Sequence, residues 1–142
     1  GGMADHPILR GVGEIWGPSD VYGINSLAGD AKPIVMGQVL EGMSPEDKPV
    51  ADKEMVPVAW IKTYTGDEGK VNQIFTTTMG HGDDFKDPDF RRLVVNAAYW
   101  LLGMDVPEKA NVEIIGEYDP NPIGFNKAKQ GVKVEDHVMK GE

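Results

Sequence analysis

Cysteine is missing from all 142 residues of the chain. That excludes disulfides, thiolate metal sites and a cysteine nucleophile. Also missing is any apolar run long enough to cross a bilayer, and the opening residues carry no signal-peptide pattern. Positive charge is scarce: 14 Lys and Arg face 23 Asp and Glu, for a net charge of −9. No basic stripe remains to neutralise phosphates, which argues against a nucleic-acid partner. Helical periodicity is absent before residue 56, so parallel strands there would have no crossover helices to join them. The length suits one domain at most. Gly1-Gly2-Met3 reads as an expression remnant or a clipped start rather than native structure.

What is present gathers in residues 56–103. Asp87 is a good N-cap, and Pro88 suits the first helical position, where its missing N–H costs nothing. Phe90, Leu93, Val94, Ala97, Ala98 and Leu101 recur at helical spacing, with Arg91, Arg92 and Asn96 on the other side. Gly103 can close the helix and Pro107 prevents its resumption. Burying each large stripe residue is worth roughly 1.5–3 kcal/mol, so the helix must lie against a sheet or another helix. Residues 56–64 and 74–79 are rich in β-branched and aromatic side chains. In the first, Val58, Trp60, Lys62 and Tyr64 share one face, and Ala59, Ile61 and Thr63 the other. Gly66-Asp67-Glu68-Gly69 between them predicts a β-hairpin, with residues 70–73 open between strand and loop. A strand feeding directly into a helix gives an α/β layout.

Elsewhere the signals are shorter. Pro7, Gly11 and Gly17-Pro18 make the opening extended or turning. Residues 20–24 read as a short strand or strand end, 25–32 as loop, and 33–41 as a strand with Pro33 at its first position. Residues 42–55 read as an exposed connection, 111–118 as another strand, and the tail from Asp119 as an irregular, partly mobile wrap. About four short strands and one helix cannot cover both faces of an α/β sheet. The chain is therefore expected to be part of a larger domain, or to complete itself by association with a second copy or with missing upstream units.

The ordered motifs HPILRGV, DVYG, PVAWIKTY, FTTTMGHG and RRLVVNAAYWLLG resemble the carboxy-terminal half of the ThuA-like (trehalose-utilisation) family. The likeness runs from His6 to about Tyr118, making residues 4–118 a partial ThuA-like domain and 119–142 an irregular tail. GEYDPNPIGF and a GVKxxDH-like tail look similar to those of ThuA-like modules in large, often exported, bacterial proteins. The resemblance implies a flavodoxin-like sheet related to class I glutamine amidotransferases, with the opening βα units upstream of His6 absent. It also implies a sugar or sugar-derivative ligand. Two departures stand out: Asp20-Val21-Tyr22 is one residue tighter than the family's Asp-x-x-Tyr, and residues 70–73 lengthen the turn before the last strand.

Candidate site residues follow from position and chemistry. His81 comes directly after a strand, between Gly80 and Gly82, at the carboxyl end where α/β sheets place ligands. In the amidotransferase relatives a histidine so placed belongs to a triad; without cysteine that mechanism is rejected here. The plainer role for His81 is a turn histidine hydrogen-bonding a backbone carbonyl. Asp83, Asp84, Asp87 and Asp89 suit the positive end of a helix; the sharper alternative is a zinc-like site of His81 with Asp83 or Asp84. His6 either caps a turn or assists His81. Asp20 and Tyr22 could orient a histidine or a sugar hydroxyl, or simply end a strand. Trp16, Trp60 and Tyr64 could stack on sugar rings, while packing is the ordinary role of Trp60 and Trp100. His137 is expected in solvent. A catalytic reading (His81, His6, Asp20 and Tyr22, with Trp60, Tyr64, Gly80 and Gly82 on substrate) requires both histidines at one pocket. A noncatalytic carbohydrate-binding or scaffold module requires an aromatic-lined surface instead.

Overall fold

The computed structural model describes residues 3–24, 26–121, 124, 126, 127 and 129–138. Readings that fall on Gly1, Gly2, Asn25 and tail positions 122, 123, 125, 128 and 139–142 lie outside the described residues. Strands β1 (Lys32–Gly37), β2 (Val56–Thr65) and β3 (Val71–Thr77) form one antiparallel sheet in the order β1-β2-β3. Helix α1 (Pro88–Leu101) follows, and single 3₁₀ turns occur at Met3–Asp5, Pro7–Leu9, Asp84–Lys86 and Val134–His137. The result is a mixed helix-and-strand fold whose described strands all pair antiparallel.

The helix ends as its local chemistry demands. The Asp87 carboxylate accepts from the Asp89 and Phe90 N–H groups, and Pro88 opens the first turn. Gly103 takes a left-handed φ of 67°, while Gly103 and Met104 donate to the carbonyls of Trp100 and Tyr99. That is the double bond of a Schellman closure. Which face is buried differs from the apolar stripe. Arg92 and Asn96 are buried, whereas Ala98 is exposed and Leu101 is 42% exposed. Both polar side chains are buried because they meet distant carbonyls. Asn96 Nδ2 donates to Ile8 and Arg10 (2.9 Å each), and Arg92 Nε donates to Ala110 (3.3 Å) and Nη1 to Asp89.

The hairpin forms as expected, with Gly69 at φ 75° and Gly66 N–H bonded to the Lys70 carbonyl. Residues 71–73 join the strand. The predicted strand at 33–41 instead begins at Lys32 and stops at Gly37. Its pairing shifts register around Val35, next to Pro33, which has no N–H to give. Past Gly37 the chain turns back on itself, pairing Leu40 with Pro49 and leaving the sheet. Residues 20–24 and 111–118 are not strands. The first follows a loop pinned at Ser19, and in the second Val112 gives its carbonyl to Arg91 while Ile115 is 98% exposed.

The core lies on one face of the sheet. Ile8, Ala59, Phe90, Leu93 and Ala97 are fully or almost fully buried together, with Ile61, Phe75 and Trp100 against them. Trp60, Lys62 and Tyr64 point to the opposite face. Phe90→Ala is expected to cost about 3–5 kcal/mol in a denaturant titration, through lost transfer energy and the void left behind. Leu101→Ala should cost less than about 1 kcal/mol, because that side chain is already wet.

Candidate functional site

Two aspartates set up the region where β3 hands over to α1. The Asp84 side chain is fully buried and accepts from Gly80 N–H (2.8 Å), His81 N–H (2.9 Å), and the Ser19 N–H and hydroxyl. Gly17 passes so close that an added Cβ would sit 2.5 Å from Asp84 Oδ1. The second oxygen of the Asp87 cap accepts from Trp16 N–H at 3.2 Å. Loop 16–19, the end of β3 and the entrance of α1 thus converge on two carboxylates.

His81 stands beside this junction, its side chain 27% exposed. Its Nδ1 accepts from the Asp83 N–H at 3.1 Å, so a neutral ring here carries its proton on Nε2. Asp83 Oδ2 lies 3.6 Å from Nδ1, and Oδ1 pairs with Lys86 at 2.7 Å, a bond that raises the lysine above its ordinary 10.5. The ring bonds the backbone of its own turn, through an N–H rather than the carbonyl expected of a turn histidine. The zinc-like set of His81, Asp83 and Asp84 is not assembled, because Asp84 turns inward to its four donors. Among the described residues no three His, Asp or Glu side chains are placed to hold a metal ion.

His6 is elsewhere. It caps the Pro7–Leu9 turn through Ile8 N–H (3.3 Å) and meets Trp100 edge-on, ring centroids 5.1 Å apart. Burial lowers its pKa from the ordinary 6.5. Trp100 lies near the far end of α1 from Asp87, about 20 Å along the axis at the standard rise per residue. The two histidines therefore sit at opposite ends of one helix. Asp20 is exposed and Tyr22 is 55% exposed; among the described residues no hydrogen bond or ion pair joins either to a histidine. Gly80 takes φ 154° at the bend after β3. Gly82 is covered by the tail: Tyr118 donates to its carbonyl at 2.7 Å, and an added Cβ would sit 2.5 Å from Pro120.

Two surfaces remain open. On the sheet face away from α1, half-buried Trp60 and exposed Tyr64 flank Lys62 and lie across from Thr76, Ile74 and Asn72. Beside β1 runs a cleft of about 1130 Å³, bounded by loop 12–21 and the 38–55 connection. Of the candidates, Trp16, Asp20 and Asp87 border it. It was not foreseen, although Met36, Met43, Met55 and Met79 in four separated segments were a visible signal. No family model matches the chain, and no curated protein or solved structure matches it either.

Asp84→Asn is expected to destabilise the protein by about 2–3 kcal/mol, since an amide sets N–H groups against N–H donors; a urea midpoint measures it. The lowered pKa of His6 means the unfolded chain binds its proton first as pH falls. Stability is therefore complete above about 6.5 and declines below it until the folded ring also protonates. His6→Asn keeps a capping side chain and should flatten that part of the thermal-midpoint profile.

Proposed function

We propose that this chain is part of a ThuA-like domain and serves as a noncatalytic module that binds sugars or sugar derivatives. The observation carrying this reading is the outward sheet face bearing Trp60 and Tyr64. Flat aromatic faces take the apolar side of a sugar ring, and Lys62, Asn72 and Thr76 alongside offer donors and acceptors to hydroxyls. Separation of His6 from His81 favours binding over the four-residue catalytic arrangement. His81 has its Nδ1 engaged by a backbone N–H, and its ring serves the turn before α1.

Under the same reading, the three antiparallel strands are one part of a flavodoxin-like, glutamine-amidotransferase-like sheet. The upstream half of the domain or a second copy would complete it. Among the described residues β1 and β3 each end the sheet with one unpaired edge, which supports such completion.

The test is a thermal-shift screen of mono- and disaccharides, trehalose included. A ligand of the folded state at about a hundredfold over Kd should raise the midpoint by several degrees. The shift should vanish in Trp60→Ala/Tyr64→Ala and persist in His81→Ala. No response to any sugar, or loss of the response in His81→Ala alone, would refute the noncatalytic assignment.

A further inference from the structure

The cleft beside β1 differs in kind from the aromatic face. Consecutive residues from Ile34 to Leu40, the end of β1 and the turn after it, all border it together with Val58 of β2, as expected where a strand lies open along its backbone edge. β1 is bonded to β2 alone, and no other backbone hydrogen bond reaches 32–37 among the described residues. No residue of β3 borders the cleft. Its volume exceeds the roughly 300–1,000 Å³ of ordinary small-molecule pockets.

The walls have a definite chemistry. Met36, Met43, Met55 and Met79 supply adaptable apolar surface, the first three of them 43%, 66% and 52% exposed. Glu14, Asp20 and Glu46 stand exposed at the margin, and none is in an ion pair among the described residues. Among the described residues no Lys, Arg or His borders the cleft. A second copy seated edge to edge would bring its own carboxylates against these, and like charges so placed repel.

We infer that the cleft receives an extended segment of another polypeptide, alternating basic and apolar residues, which adds to β1 as a fourth strand. Backbone groups of β1 bond the incoming strand, apolar side chains on one of its faces enter the methionine-lined floor, and basic ones meet the acidic margin.

The probe is a fluorescein-labelled peptide about seven residues long, alternating Lys and Val, titrated in fluorescence anisotropy. Saturable binding is expected, weakened about tenfold or more by Glu14→Gln/Asp20→Asn/Glu46→Gln and by raised salt. A peptide N-methylated at alternate amides should lose binding, and hydrogen exchange at β1 amides should slow only with the unmodified peptide. Equal binding of a Glu-Val peptide, undiminished binding of the N-methylated one, or no saturable binding would overturn the inference. So would a concentration-dependent dimer, seen by sedimentation, whose formation protects the same amides while the peptide does not bind.

Discussion

A carboxylate taken wholly out of water is tolerable only when its oxygens are met by donors, and Asp84 meets four. Those donors come from two places distant in sequence, residue 19 and residues 80–81. Satisfying one charge therefore fixes the course of the loop after the opening turn and the bend out of β3. The glycine at 17 is needed for the same reason, because a side chain there would occupy the space of the Asp84 oxygen. Asp87 repeats the arrangement one turn later, serving the helix with one oxygen and Trp16 with the other.

The helix is fastened to the rest of the chain by polar groups as much as by its apolar stripe. Large, completely buried apolar side chains are few: Phe90, Ile8 and Leu93. Around them Asn96 fixes the opening turn by two carbonyls, and Arg92 reaches Ala110. Arg91 draws together Val112 on one side and Phe85 and Lys86 on the other. A thin core on one sheet face is thus held by side chains that close segments from both directions.

Local chemistry was legible in the residues. The Asp87-Pro88 start, the Gly103 stop and the Gly66–Gly69 reversal depend on neighbours within a few positions, and they form where expected. Burial of Arg92 and Asn96 was not legible, because the carbonyls that accept from them lie 18 and 86 to 88 residues away. The same is true of Asp84: four aspartates at a helix entrance look alike until loop 16–19 selects one. Residues 111–118 have strand composition but pair with no strand among the described residues. The aromatic face followed from period-two alternation, while the cleft needed three separated segments to come together.

Arg91 has one more implication. A guanidinium keeps its charge at any acidity a protein meets, whereas burial makes the imidazole beside Trp100 reluctant to take one, so acid works against that contact. The strap across the carboxyl side of Phe85, Lys86 and Val112 therefore stays fastened in mildly sour surroundings that already prise at the opposite pole. Loosening under acid then has a starting place, where the amino-terminal turn leans on the indole.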